Sequence, residues 1–190
     1  MRPSKAIAAR CATVILAAST ASGSWFGYLR ASGNFHSVVV GEVYRSAQPT
    51  SADIWIAQEE HGIRTILNLR GAKPGRVWYD REAAAARKLG IRLVDFKMSA
   101  GKALSKDRTA ELVRLLRTLP KPLLIHCKAG ADRTGLASAL YLAVVKEGDV
   151  DTAEWQLSAR YGHIGIPVFG AAWAMDETWD AAEDWFQLDD

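Results

Sequence analysis

The chain has 190 residues, 49% apolar and 24% charged, and this length and composition suit one globular domain with its own core. A net charge of +3 and the lack of a basic run argue against a nucleic-acid partner. The two cysteines, Cys11 and Cys127, lie far apart in the chain and do not suggest a disulfide framework.

The N-terminus differs from the rest of the chain because basic residues precede a long uncharged run. Arg2, Lys5 and Arg10 come before the uncharged residues 11–29. This pattern predicts a secretory signal or a membrane anchor over residues 1–31, and the positive-inside rule then places the rest of the chain outside the cytoplasm, which is the periplasm in a bacterium. The alternative is an amphipathic or unstructured extension.

Short strands and helices alternate from residue 38 onward. Apolar and β-branched runs predict strands at 38–40, 43–45, 63–69, 91–98 and 123–126. Capping residues, terminal glycines and helical spacing of apolar residues predict helices at 51–61, 79–89, 105–119, 134–147, 150–160 and 169–186. Ser51 and Ser105 are the predicted N-caps, and Gly90 is the predicted C′ residue. The last helix carries three tryptophans that we assign to the core: Trp173, Trp179 and Trp185.

This alternation predicts an α/β fold with a central, mainly parallel sheet flanked by helices. Residues 32–190 then form a single domain with extra helices at the C-terminus. Ligands of such folds bind at the carboxyl ends of the strands, where the next helix begins.

One polar stretch lies at such a place. Residues 126–135 read HCKAGADRTG and separate the apolar strand 123–126 from the apolar helix that follows. A helix N-terminus presents free backbone N–H groups and a partial positive charge, so a loop wrapped in front of it suits a tetrahedral oxyanion such as phosphate. Gly130 permits the tight path of the loop.

Two side chains of this loop add reactivity to the anion site. The planar guanidinium of Arg133 is able to bind two phosphate oxygens at once. Cys127 ends the strand at the floor of the cradle, where the N–H groups, the helix dipole and Arg133 lower the pKa of its thiol. Thr134 is placed to donate its hydroxyl to the sulfur.

The spacing Cys-x5-Arg-Thr, preceded by His126, resembles the active-site loop of the dual-specificity group of the protein tyrosine phosphatase superfamily. Residues 43–49 and 62–70 resemble segments of its bacterial and atypical plant–fungal members, and the resemblance covers about residues 35–162. It implies phosphoester hydrolysis through a phosphocysteine intermediate, with Cys127 as nucleophile, Arg133 as clamp and no metal or other cofactor. The implied phosphate cradle is the loop Lys128, Ala129, Gly130, Ala131, Asp132 and Arg133.

The general acid is open between three carboxylates. Asp132 lies beside the loop arginine, as in myotubularin-type lipid phosphatases. Asp95 lies 32 residues before Cys127, a separation common in the family, although it falls inside a predicted strand. Asp107 lies in the first turn of a helix, where it also interacts favourably with the helix dipole. Water without a carboxylate is the remaining option.

The other polar residues near the loop have structural as well as functional interpretations. His126 is expected to fix the loop by hydrogen bonds and not to carry a proton. Lys128 is either a solvated cation or a contact for a highly phosphorylated ligand, as in tensin-type lipid phosphatases. Gln48, Asn68 and Arg70 end or follow neighbouring strands and either brace the loop or form plain turns.

Four functions fit the residues to different degrees. The leading prediction is a phosphatase acting on phosphotyrosine or other phosphoprotein residues, with a phosphorylated protein or a small phosphoester as its partner. The first alternative is an inositol phosphate or phosphoinositide phosphatase, which Lys128 favours and Ala131 disfavours. A sulfurtransferase conflicts with the spacing of Arg133 and Thr134, and a non-catalytic module conflicts with the presence of both Cys127 and Arg133.

Overall fold

The computed structural model describes residue 20 and residues 23–167 and 170–188. Helix α1 covers residues 23–31. Five strands follow in chain order, at β1 His36–Val39, β2 Val43–Ser46, β3 Thr65–Asn68, β4 Arg92–Asp95 and β5 Leu123–His126. The remaining helices are α2 Ser51–His61, α3 Val77–Lys88, α4 Lys106–Thr118, α5 Asp132–Leu140, α6 Val150–Glu154 and α7 Trp173–Phe186.

The strands form one sheet in the order β1-β2-β5-β3-β4. β1 and β2 are antiparallel, and every other neighbouring pair is parallel, so the predicted α/β class and mainly parallel sheet are confirmed. β5 lies in the centre, with Ser46 of β2 and Asn68 of β3 both in register with His126. The carboxyl ends of β2, β5 and β3 therefore meet at one edge of the sheet, just before the loop that follows Cys127.

Successive side chains of the central strand point to opposite faces of the sheet, and each face has its own core. Leu123 and Ile125 pack into the larger core, which includes α4, α5 and α7. Leu124 packs on the other face with residues of α2 and α3, such as Ile54 and Ala86. Of the three predicted core tryptophans, Trp179 is buried, Trp185 is half-buried against the larger core, and Trp173 is half-buried.

Two helix boundaries differ from the prediction for identifiable reasons. α2 is capped by Thr50 and not by Ser51, because Thr50 and Asp53 form a reciprocal capping box. The predicted helix 150–160 stops at Glu154, and a short 3-10 turn follows at Ala159–Tyr161. Near this break, the carbonyl of Gln156 accepts a hydrogen bond from Arg45 Nη1 at 2.9 Å and is held by the sheet and not by a continuing helix.

The predicted helix 134–147 is also modified. It begins at Asp132, continues as α5 to Leu140, and ends as a single π-helical segment at Tyr141–Val145. Every residue of α5 from Thr134 to Leu140 is buried. The close approach of this helix to its neighbour depends on Gly135, because a Cβ there would lie 2.7 Å from the Gln156 carbonyl oxygen.

The predicted N-terminal signal or anchor lies mostly outside the described residues. The described part, α1, packs on the domain through the buried side chain of Leu29, and Trp25 Nε1 donates to the Ala159 carbonyl at 3.0 Å. Trp25, Phe26 and Tyr28 remain exposed. In the ranges that the structure describes, no helix combines the length and apolar character needed to cross a bilayer.

Candidate active site

The loop 127–133 begins where the central strand ends. Cys127 directly follows β5 and its side chain is 2% exposed, at the bottom of the loop. The backbone N–H of Gly130 donates to Cys127 Sγ at 3.3 Å. Gly130 has φ +74°, and a Cβ at this position would lie 2.6 Å from the backbone nitrogen of Ala47. The loop therefore requires glycine here, both for its conformation and for its contact with the end of β2.

Arg45 of strand β2 donates hydrogen bonds to the backbone of the loop. It is fully buried, and its Nη2 donates to the carbonyls of Gly130 at 2.8 Å and Ala131 at 3.3 Å. Burial lowers the pKa of Arg45 to about 10, against the opposing effects of Tyr161 and Cys127. A planar trans peptide directs its C=O and N–H to opposite sides, so carbonyls turned toward Arg45 turn the next N–H groups toward the anion site.

Asn34 is a second brace. Its side chain is 1% exposed, and its Nδ2 donates to the carbonyls of Ala129 at 3.0 Å and Tyr161 at 2.8 Å. Asn34 Oδ1 lies 3.0 Å from His36 Nε2. The loop backbone is thus tied to β1 and to the 3-10 turn, as well as to β2.

A buried network fixes the strand end before Cys127. His126 Nε2 lies 2.7 Å from Glu82 Oε1, and both side chains are fully buried. The other oxygen of Glu82 accepts from Gln48 Nε2 at 2.8 Å, and Gln48 Oε1 accepts from Arg70 Nη1 at 2.6 Å. This arrangement agrees with a structural part for His126, and it makes Gln48 and Arg70 members of the loop's support.

Two arginines lie on the side of the loop that faces β3. Arg133 Nη1 makes long contacts to the carbonyls of Leu69 at 3.5 Å and Met98 at 3.4 Å, and its buried Nε has no hydrogen-bond partner in the described part of the chain. The guanidinium of Arg70 stacks 3.4 Å from the ring centroid of Trp78. Burial, followed by the charge of Arg133, lowers the pKa of Arg70, which is a sign that cations are concentrated here.

The three acid candidates occupy different environments. Asp95 ends β4, and its oxygens accept from Asn68 Nδ2 at 2.8 Å and Tyr79 Oη at 2.6 Å. Asp132 is the first residue of α5, and its Oδ1 lies 2.9 Å from His163 Nδ1. Asp107 is exposed in the first turn of α4.

Thr134 and Lys128 are the remaining loop candidates. Thr134 is fully buried, and its hydroxyl has no hydrogen-bond partner among the residues described, so its assistance to the sulfur stays a prediction. Lys128 is exposed, as is Ala129. Lys128 borders a cleft of about 940 Å³ between the loop and α1, whose lining includes Phe26, Arg30, Asn34 and Tyr161. Within the described ranges, no cluster of three or more His, Cys, Asp or Glu side chains is arranged to hold a metal ion.

Sequence reasoning missed several residues that shape the site, because their partners are distant in the chain. Asn34, Glu82 and His163 are buried polar side chains in segments without a motif. Arg45 had a partial signal, since this charged residue directly follows the apolar Val43 and Tyr44 in a predicted strand, and the structure buries that strand along its whole length. A fully buried arginine is rare unless it is paired, so such a residue is expected to have a specific structural or functional role.

Solved structures of other proteins have the same fold. TpbA from P. aeruginosa is 25% identical, with a TM-score of 0.54, and the match covers 79% of this chain and 91% of that chain. Another crystal structure of TpbA is a complex with pTyr. The core catalytic domain of the PP-IP phosphatase SIW14 from S. cerevisiae, in complex with citrate, is 21% identical, with a TM-score of 0.58 over 80% of this chain and 91% of that chain.

Sequence comparison identifies the family. No curated protein sequence matches the chain significantly. A family model described as "DSP-PTPase phosphatase fused to NAD+ Kinase" matches residues 33–164, which include the whole loop from Cys127 to Arg133. The chain belongs to this family of dual-specificity phosphatases, within the cysteine-dependent phosphatase superfamily.

Proposed function

We propose that the protein hydrolyses phosphomonoesters through a phosphocysteine intermediate formed on Cys127. The observation that carries this proposal is the hydrogen bond from the Gly130 N–H to Cys127 Sγ, inside a loop whose carbonyls are turned away by Arg45. N–H groups that stabilise a thiolate also stabilise the equatorial oxygens of a phosphoryl group above it. Arg133, with a buried Nε free of protein partners in the described residues, supplies the clamp.

The proposed reaction has two balanced steps. The Cys127 thiolate attacks phosphorus, an S–P bond forms, the P–O bond to the leaving group breaks, and the leaving oxygen takes a proton from an acid. A water molecule then attacks the phosphocysteine, gives its proton to the same group, and the S–P bond breaks to regenerate the thiolate and release phosphate.

For the acid we propose Asp132. Its side chain is partly exposed beside Arg133, and His163 engages only Oδ1 among the residues described, which leaves Oδ2 for the transferred proton. Both oxygens of Asp95 already accept hydrogen bonds, from Asn68 and Tyr79, and this carboxylate ties α3 to the sheet. Asp107 is exposed on α4 and makes no comparable contact with the loop.

Phosphotyrosine is the substrate that we place first, followed by other phosphoprotein residues. A nearly buried sulfur is reached more easily by a long, flat aryl phosphate than by a short alkyl phosphate. The fold's occurrence in TpbA, seen in complex with pTyr, supports this choice. The second candidate is an inositol phosphate or phosphoinositide. The proximity of Arg70 to Arg133 favours it, and so does the exposed cation of Lys128 on the loop. The fold of SIW14, a PP-IP phosphatase, supports it as well.

Hydrolysis of p-nitrophenyl phosphate by the wild type and by Cys127→Ser tests the catalytic proposal. We expect turnover by the wild type and none by the variant, and equal activity or inactivity in both would refute it. Phosphotyrosine peptides and inositol polyphosphates, compared by kcat/KM on the same preparation, then distinguish the two substrate classes.

We also propose that residues 1–31 direct residues 32–190 to the far side of the cytoplasmic membrane, either anchored or secreted. The basic residues before an uncharged run and the exposed aromatic residues of α1 support this proposal. Membrane fractionation of the full chain and of a variant lacking residues 1–22 tests it, since Leu29 is kept in both. Recovery of the full chain in the soluble cytoplasmic fraction would contradict it.

A further inference from the structure

A buried histidine next to the phosphate loop bridges two carboxylates. His163 Nδ1 lies 2.9 Å from Asp132 Oδ1, and His163 Nε2 lies 3.1 Å from each oxygen of Asp176. The histidine side chain is 2% exposed, whereas those of Asp132 and Asp176 are 28% and 20% exposed. Asp132 belongs to the loop and Asp176 to α7, so His163 links the loop to the C-terminal helix.

This geometry identifies the charge of the ring. An ionised carboxylate only accepts hydrogen bonds, so a ring nitrogen that faces one must carry a hydrogen. Both nitrogens of His163 face carboxylates, and both carry hydrogens only in the imidazolium form. A neutral ring would instead turn a lone pair toward one carboxylate and leave a buried repulsive contact. When both carboxylates are ionised, the cluster is therefore a cation held between two anions.

The chain passes close to Asp176 after His163. A Cβ on Gly165 would lie 2.4 Å from Asp176 Oδ2, so a side chain at this position would displace the carboxylate from its present place. The backbone N–H of His163 donates to the Ser158 carbonyl at 3.1 Å, which fixes the position from which the ring projects. Both oxygens of Asp176 lie within hydrogen-bond distance of this ring.

The surroundings contain few other charges. Asp132 from α5 and Asp176 from α7 are the charged groups that face the ring. Asp180, one turn later on α7, has its pKa raised by burial and by the charge of Asp176. Arg160, on the 3-10 turn before His163, is exposed. The positive charge of His163 is thus the direct counterpart of the negative charge of Asp132.

Asp132 presents an electrostatic problem for the proposed function. It occupies the first turn of α5, at the same helix N-terminus that must receive the phosphoryl group, and two anions would compete for one positive end. We propose that His163 is a positioning residue whose positive charge compensates Asp132 and so lets the loop hold a dianionic phosphoryl group. This inference rests on the proposed phosphatase function and concerns the ionised state of Asp132, which this carboxylate reaches once it has given its proton to the leaving group.

The pH dependence follows from the balance of forces on the ring. Burial by itself lowers the pKa of His163, but the hydrogen bonds to Asp132 and Asp176 outweigh it and raise the pKa above its ordinary value of 6.5. The ring therefore stays protonated to a higher pH than an ordinary histidine, and compensation is lost as the pH rises through the elevated pKa. Above that pH, Asp132 is an uncompensated anion, and we expect phosphate to bind more weakly.

The test is the dissociation constant of inorganic phosphate, measured by calorimetry for the wild type, His163→Gln, Asp132→Asn and the double variant. We expect His163→Gln to weaken binding about tenfold below pH 6.5, the scale of one charge interaction in a partly exposed site. The ratio to the wild type should approach one at high pH, because the wild-type ring is then neutral too. Titrations common to both proteins, such as that of phosphate itself, cancel in this ratio.

Asp132→Asn is the rescuing change. It removes the anion that needs compensation, so the double variant should bind phosphate about as well as the wild type. Unchanged affinity in His163→Gln at every pH would overturn the proposal, and so would a double variant as weak as His163→Gln. A wild type that neither binds phosphate nor hydrolyses p-nitrophenyl phosphate would instead defeat the proposed function, and that result is visible without any variant.

Asp176→Asn provides an independent test if the glutamine variant does not fold. It keeps the shape of the carboxylate but removes one anion from the ring, so the pKa of His163 should fall. We expect the pH at which phosphate affinity declines to fall with it, and NMR titration of the His163 ring to show the same shift. A ring that titrates unchanged, or one already neutral at pH 6 in the wild type, contradicts the proposal.

Discussion

Arg45 of strand β2 and Gly130 of the phosphate loop are joined by a hydrogen bond of 2.8 Å, from a fully buried guanidinium to a backbone carbonyl. The contact connects residues 85 positions apart and defines the orientation of the loop's peptide groups. Since the proposed anion site consists of the N–H groups on the opposite side of those peptides, we expect Arg45 to act on the site without belonging to it.

We expect Arg45→Met to lower activity on p-nitrophenyl phosphate about 10²-fold, the cost of misplacing one N–H donor of an oxyanion site. The buried carbonyls of Gly130 and Ala131 also lose their donor, which should cost about 2–4 kcal/mol of unfolding free energy. Arg64→Met, at an exposed position just before β3, is the matched control. Full activity in Arg45→Met would show that the loop holds its shape unaided.

Gly130→Ala is expected to reduce activity at least about 10²-fold, because the new Cβ would meet the Ala47 backbone at 2.6 Å and force the loop to move. Gly75→Ala is the control for backbone strain, since Gly75 has φ +83° but open space around its Cα. Both variants should lose about 1 kcal/mol from the positive φ, measured by urea unfolding. Equal activities would mean that the contact with β2 has no functional effect.

A substitution that removes only the charge of the buried Glu82–His126 pair should lower both stability and kcat. In Glu82→Gln, one of the two carboxylate oxygens becomes an NH2 group facing a donor, either from His126 or from Gln48. We expect a loss of about 1–3 kcal/mol in unfolding free energy and lower kcat, because the strand end before Cys127 loses its brace. Exposed Glu59→Gln should leave the unfolding midpoint unchanged.

The general acid should be identifiable from the pH profile of kcat. We expect Asp132→Asn to lower kcat about 10²-fold on an alkyl phosphate and to remove the limb due to the acid. Aryl phosphates such as p-nitrophenyl phosphate should be less affected, because their leaving group needs less protonation. Asp107→Asn should leave the profile unchanged, whereas a lost limb in Asp95→Asn would transfer the assignment to Asp95.

The raised pKa of Tyr79 predicts how the stability of the fold changes in alkaline solution. Its hydrogen bond to Asp95, together with burial, raises its pKa from 10.0 to about 12, so the folded state favours the protonated phenol. The stabilisation is complete below pH 10 and is lost as the pH rises toward 12. We expect the wild type to lose stability over that interval and Tyr79→Phe to lose less. Tyr28→Phe, at an exposed position, should behave like the wild type.

The local pattern around the loop was enough to predict much of the site. The two apolar runs on either side of the loop predicted the strand Leu123–His126 at its observed bounds and a helix from residue 134, two residues after its observed start at Asp132. The glycine at 130 was predicted as the point of tight curvature, and its φ of +74° agrees. These features depend on neighbouring residues, which is why they can be read from one short segment.

The supports of the loop could not be predicted in the same way. Glu82 lies on α3, 44 positions from His126, and nothing in its own segment marks it as the partner of a buried ring. His163 follows a short 3-10 turn within a span predicted partly as helix, and its neighbours do not indicate that it bridges Asp132 and Asp176. Asp95 was one of three acid candidates in the sequence, and only the structure shows that both of its oxygens accept hydrogen bonds, from Asn68 and Tyr79.

By itself, the sequence determined the fold class, the family resemblance and the two side chains proposed to react, Cys127 and Arg133, because strand periodicity and the spacing within one loop are local properties. Only the tertiary structure decided how Arg45, Glu82 and His163 serve that loop. Each is a polar group withdrawn from water, and such a group is stable only against a partner that the packing of distant elements supplies. The charge state around Asp132 therefore depends on where α7 lies, which no segment of the loop encodes.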